Sequence, residues 1–223
     1  FHGMAAAISL ASSGTESNSF VNCRFANLTH TSYRPAVLVA TTAKVTFEDC
    51  TFDHNYTADH GWSHGPFVTV SKSDGVAFIR CAFTDNKLGA GTCGNILIAD
   101  NPDKGKTVFK DCVFRGNRQV GVSNAMTDWA KPVCINATIW ADVLLDGCLF
   151  EGNWLDATGV AADQAFTASD VRFSLYAKLR IVNCRLGGFS VSNSTANCTA
   201  TELWLGSGDS RGKFAAVHSV IEA

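Results

Sequence analysis

Apolar and polar residues alternate in short runs along this chain, and the runs recur. Six segments align on a cysteine: VNCRFAN (21–27), FEDCTFDHN (47–55), IRCAFTDN (79–86), FKDCVFRGN (109–117), LDGCLFEGN (145–153) and IVNCRLGGF (181–189). Each reads as an apolar residue, a turn-forming residue, Cys-x-Phe and then an asparagine, and the cysteines step by 27, 31, 31, 36 and 36 residues. Apolar residues two apart predict strands, since side chains alternate between the two faces of a strand.

Further alternating segments lie between the cysteines: Val37-Leu38-Val39, Phe67 to Val70, Ile96-Leu97-Ile98, Phe173-Ser174-Leu175 and Leu203-Trp204-Leu205. They predict a second column of strands. Ala7 to Leu10 supplies a coil ahead of the first cysteine, and Phe214 to Val220 a partial last one. A period near 30 residues fits one coil of a solenoid with three short strands, the variable remainder falling into loops. Helical repeats share that period but not the pattern, because the segments are rich in Val, Ile, Thr and Phe and are broken by Gly, Asn and Asp. The expected fold is all-β, a right-handed single-stranded parallel β-helix of about seven coils. It is expected to span 1–223 as one domain, a fragment or module of a longer extracellular chain.

The residue before each cysteine is Asn22, Asp49, Arg80, Asp111, Gly147 or Asn183. All but Arg80 are types that tolerate a left-handed backbone, so a tight turn is expected there and a different one at Arg80. Stacked parallel strands place each inward side chain over its copy about 4.8 Å away. Cys23, Cys50, Cys81, Cys112, Cys148 and Cys184 are therefore expected as an internal ladder of small buried side chains, with disulfides between rungs as the alternative.

The run Cys-x-Phe-x-x-Asn, in CTFDHN, CAFTDN, CVFRGN and CLFEGN, resembles the repeat of chlamydial polymorphic outer-membrane proteins and of related β-helix domains on protist and algal surfaces. The resemblance covers 21–189 and implies a β-helix and a surface location. The Gly-Gly-apolar element that usually follows is degenerate here, as in Leu88 to Gly91, and the sixth copy carries Leu186 and Phe189.

A hydrophobic content of 46% with 17% charged residues describes a packed chain rather than a disordered one. A formal net charge of −2 offers no basic stripe for nucleic acid. No apolar run approaches the ~18 residues of a membrane span. Five Asn-x-Ser/Thr sequons, at Asn27, Asn55, Asn136, Asn193 and Asn197, point to glycosylation on a secretory route, although Asn27 and Asn55 also read as the repeat asparagine in a turn. Cys93 and Cys134 follow consecutive rungs and are the expected disulfide, which leaves Cys198 over for another bridge.

Catalytic chemistry is sparse. Three residues past the ladder cysteines stand Ala26, Asp53, Thr84, Arg115, Glu151 and Gly187, where no two neighbouring coils pair the acids that a glycosidase needs. No cofactor or metal motif is present. The most functional-looking loop runs from His54 to His64. His54, Asp59, His60 and His64 could ligate a metal, although at spacings of no metal-site motif. His54, His60, Trp62 and His64, with Trp140 and Trp204, are the candidate surface contact, Trp154 also reading as outward. The leading expectation is a non-enzymatic structural or adhesive module of an extracellular surface or filamentous assembly, self-associating or joining neighbouring modules through open solenoid ends. The alternative is a carbohydrate-active enzyme or sugar-binding module.

Overall fold

The structure, a computed structural model, describes residues 8–11, 16–30, 35–57, 66–89, 94–99, 105–121, 131–162, 165–174, 176–194, 197–206 and 213–222. Among them it contains strands and turns in a fixed cycle of four. The first coil carries β1 (Ile8–Leu10), β2 (Asn18–Val21), β3 (Arg24–Ala26) and β4 (Thr29–His30). The second carries β5 (Val37–Val39), β6 (Val45–Glu48), β7 (Thr51–Asp53) and β8 (Tyr56–Thr57), and the cycle continues to β27 (Val220–Ile221). Every fourth strand joins the same parallel sheet, giving three sheets of seven strands and a fourth of six among the described residues. The parallel solenoid read from the repeat is thus the observed fold, with four strand columns per coil instead of three. The extra column follows the repeat asparagine.

Pairing is in register, so like residues stack on like. Phe78 of β10 (Val76–Ile79) pairs with Phe47 below and with Phe109 above. The rings stack at centroid separations of 4.9 Å for Phe20 and Phe47, 5.0 Å for Phe47 and Phe78, and 4.9 Å for Phe78 and Phe109. A second stack rises from the Cys-x-Phe positions, with Phe52 and Phe83 at 4.6 Å and Phe114 and Phe150 at 4.4 Å. The two stacks meet edge to face, as at Phe78 and Phe83, 5.7 Å apart, an arrangement the ring quadrupole favours. This phenylalanine core fills the coil interior over most of its length.

The turn before each cysteine is left-handed throughout: Asn22, Asp49, Arg80, Asp111, Asn183 and Gly147 all have φ between 51° and 66°. Arg80 therefore makes the same turn as its neighbours, contrary to the expectation, and Phe78 keeps register with Phe47. Its strain is offset by contacts from its guanidinium, which donates to Asp49 Oδ1 at 2.7 Å and to Glu48 Oε1 at 2.6 Å. His218 repeats the turn with φ 47°, so Ser219 occupies the seventh cysteine position. There its hydroxyl accepts the Cys184 N–H at 3.1 Å. A second left-handed column, Asn27, His54, Asp85, Gly116, Gly152 and Gly188, turns each coil into the fourth sheet.

The two ends differ, whereas both were expected to be open. In the first coil Phe25 and Leu28 are fully buried and Ile8, Leu10 and Phe20 partly so. In the last, Leu205, Phe214 and Ile221 are 47%, 42% and 40% exposed, although each pairs in register with a buried residue: Phe173, Leu179 and Leu186.

Candidate functional site

The turn between the third and fourth sheets brings the repeat asparagines inside. Asn55, Asn86, Asn117 and Asn153 are buried and form a ladder. Asn86 Nδ2 donates to Asn117 Oδ1 at 3.0 Å and to the Phe52 carbonyl at 3.0 Å, while its backbone N–H donates to the same Asn117 oxygen. Asn117 repeats this toward Asn153 and the Phe83 carbonyl. Each amide thus satisfies backbone groups that the turn leaves out of the sheets. Leu28 takes the asparagine position in the first coil, where its N–H donates to Asn55 Oδ1 at 3.0 Å. Asn27 therefore stands one place earlier, exposed and left-handed, and is not a ladder residue.

This placement sorts the sequons. Asn55 Nδ2 is committed to Phe25 O at 3.0 Å and Asn86 Oδ1 at 2.8 Å inside the core, so a glycan there is incompatible with the fold. Asn136 is 3% exposed and accepts Arg172 Nη1 at 3.1 Å, and is closed in likewise. Asn193 is exposed and its amide donates to Asp156 at 3.1 Å. Asn197 opens β25 (Asn197–Leu205).

The cysteine ladder is buried from Cys50 to Cys184, with Cys23 half-buried, and all its thiols are free. Each sits at the corner between the second and third sheets and donates to carbonyls, as Cys81 does to Phe47 O at 3.3 Å and Ile79 O at 3.5 Å. Burial pushes the Cys50 thiol up to about 11. Cys134, expected in a disulfide, carries a free buried thiol that points at Asp170 Oδ1, 3.4 Å away; Cys93 lies outside the described residues. A bulge in β17 (Lys131–Ala137) between Pro132 and Ile135 turns this thiol inward.

That bulge begins a buried acidic column that alternation does not reveal. Asp170 on β21 (Ala165–Phe173) is wholly buried, and Glu202 on β25, in the next coil, is 5% exposed. Burial first, and then Glu202, hold the Asp170 carboxyl well above the usual carboxylate range. Glu202 Oε1 accepts the Phe189 N–H at 2.7 Å, the task the next coil's asparagine would perform. The acids therefore extend the ladder upward where the asparagines stop.

On the outer surface, Arg24 grips Asp53 with Nε to Oδ1 at 2.8 Å and Nη2 to Oδ2 at 2.5 Å, and this hydrogen bonding lowers the Asp53 pKa. His54 Nδ1 lies 3.1 Å from the same carboxylate. The remainder of the candidate loop, Asp59, His60, Trp62 and His64, lies outside the described residues. Among the described residues, no three His, Cys, Asp or Glu side chains gather as a metal-binding group. Trp140 stacks on Tyr176 at 4.6 Å, and the Arg172 guanidinium lies over Trp204 at 5.4 Å. Among the described residues, the tryptophans are thus distributed around the solenoid and do not form one platform. Arg115, exposed, pairs with Glu151 across the third sheet.

No curated protein and no solved structure matches the chain. A family model described as "Right handed beta helix region" matches residues 1–131, and the same strand register continues through the coils beyond. By that match, and by its in-register parallel coils, the chain belongs to the right-handed β-helix family.

Proposed function

We propose that this chain is a non-catalytic structural module of an extracellular surface assembly, which docks through the C-terminal end of its solenoid. The observation that carries the reading is the last described coil. Among the described residues, β25, β26 (Lys213–Val217) and β27 are the outermost strands of their sheets, and the inward-facing Leu205, Phe214 and Ile221 are 40% or more exposed. Open strand edges invite another strand, and covering apolar surface contributes about 25 cal/mol for each Å². Val217 and Val220, 38% and 54% exposed on either side of the His218 turn, add apolar surface on the outer faces of the same coil. The exposed sequons Asn27 and Asn193 support the extracellular setting.

Because the first coil's Phe25 and Leu28 are covered, the favoured contact for the isolated chain is between two C-terminal ends. Such an isologous contact closes as a pair and does not grow into a fibre. Sedimentation over a range of concentrations tests this. A monomer–dimer equilibrium, shifted to monomer by Phe214→Glu, is expected; a chain that stays monomeric at high concentration would refute docking through this end.

A further inference from the structure

We infer that the internal cysteine column is a binding site for soft monovalent metal ions of the copper(I) class, one ion lying between each pair of successive rungs. This goes beyond the docking reading and does not depend on it. Cys50, Cys81, Cys112, Cys148 and Cys184 are 3% exposed or less, and Cys23 continues the column half-buried. The residues that follow them, Arg24, Thr51, Ala82, Val113, Leu149 and Arg185, pair in register from coil to coil. The thiols are therefore superposed. That of Cys112 is within hydrogen-bonding reach of those of Cys81 and Cys148 on either side, and that of Cys148 also reaches Cys184.

Spacing selects the coordination. Like atoms on in-register parallel strands lie about 4.8 Å apart, and two metal–thiolate bonds of about 2.3 Å placed in line span nearly that distance. An ion between two rungs thus reaches both sulfurs without a shift of the backbone. Zinc(II) does not suit the column, because it gathers four ligands around one point, and among the described residues no three His, Cys, Asp or Glu side chains do so. Copper(I) is favoured by soft thiolates and is stable with two ligands in line.

Charge selects a monovalent ion. The column runs beside the phenylalanine stacks, where an uncompensated charge is costly. Each ion enters as one thiol proton leaves: an S–H bond breaks, two metal–sulfur bonds form and the proton passes to solvent, so the core stays neutral. The exchange gives up little, since S–H is a weak donor, serving here carbonyls such as Phe47 O and Phe78 O. Cys23 leaves the column accessible from the first coil, and Ser219, with an oxygen in the seventh position, ends it.

Silver(I), which shares the charge and the in-line geometry and keeps its oxidation state, is the probe. It is added to the reduced native chain in chloride-free buffer and counted by native mass spectrometry. The six rungs leave five gaps, so at least five ions are expected to be retained, with one proton released per ion, an unchanged far-UV circular dichroism spectrum and a raised melting temperature. Cys112→Ala, which opens the gaps on both its sides, is expected to lose two ions. Cys134→Ala, which removes a buried thiol off the column, is expected to lose none. Fewer than five ions on the parent chain would overturn the assignment, as would loss of the strand spectrum on binding. Equal loss in the two variants, or zinc(II) retained as fully as silver(I), would overturn it as well.

Discussion

Asn86 and Asn117 are joined by a 3.0 Å hydrogen bond from the amide of one to the carbonyl oxygen of the other, 31 residues apart in sequence and adjacent in the stack. That oxygen also accepts the Asn86 N–H, and the Asn117 amide serves the Phe83 carbonyl and Asn153. Removing the side chain strands several buried groups at about 1–3 kcal/mol each. Asn117→Leu is accordingly expected to cost at least about 3 kcal/mol and Asn117→Asp more, since the latter also buries a charge. Urea denaturation measures both, and a loss below about 1 kcal/mol in either would show that the ladder is not a structural spine.

The phenylalanine stacks predict intolerance at their centre. Phe114 lies between Phe83 at 4.8 Å and Phe150 at 4.4 Å and is fully buried. Phe114→Ala should cost about 3–5 kcal/mol, and Phe114→Asp should abolish the cooperative thermal transition. An unchanged melting temperature for Phe114→Asp would contradict the inward register.

The thiols make a chemical prediction. Cys50, Cys81, Cys112, Cys148 and Cys184 are buried, whereas Cys23 and Cys198 are partly accessible. Because burial shuts the reagent out of all five, and also pushes the Cys50 thiol up to about 11, alkylation of the native chain should modify Cys23 and Cys198 and spare the five until urea is added. Rapid native labelling of Cys112, or a mapped disulfide between ladder cysteines, would contradict the buried column.

The acidic column sets a pH dependence. Asp170 is held protonated far above its ordinary pKa by burial and by Glu202. The unfolded chain releases that proton from about pH 4 upward, while the folded chain retains it. The proton-linked stability is therefore full below the unfolded pKa and falls by about 1.4 kcal/mol per pH unit as the pH rises toward the folded pKa. Asp170→Asn removes this contribution and should make the chain relatively more stable than its parent as pH increases above about 5. Urea midpoints of both proteins across that range provide the check, and a difference that does not change with pH would refute the assignment.

Much of the fold was legible because stacking in register forces the same side chain to recur. Cysteine, phenylalanine and asparagine each satisfy one fixed place in the coil, and the spacing survives loops of varying length. The fourth sheet was not legible. Its strands are two or three residues long, and their inward residues, Thr57, Leu88, Gln119 and Leu155, switch between polar and apolar from coil to coil.

Cys134, Asp170 and Glu202 escaped because the bulge in β17 breaks the alternation that predicts facing. The reading of Asn27 as the repeat asparagine failed by one position because Leu28 replaces it at the end of the ladder.

Amide hydrogen exchange, followed as the chain is concentrated, tests the docking proposal and the solenoid beneath it in one measurement. In dilute solution the amides of β6 and of β10, whose edges are paired on both sides, should exchange slowly and those of β26 and β27 quickly. On concentration, protection should rise in β26 and β27 alone, and Phe214→Glu should abolish that rise. Fast exchange in β6 and β10 would contradict the stack, and β26 and β27 amides indifferent to concentration would contradict association through the C-terminal end.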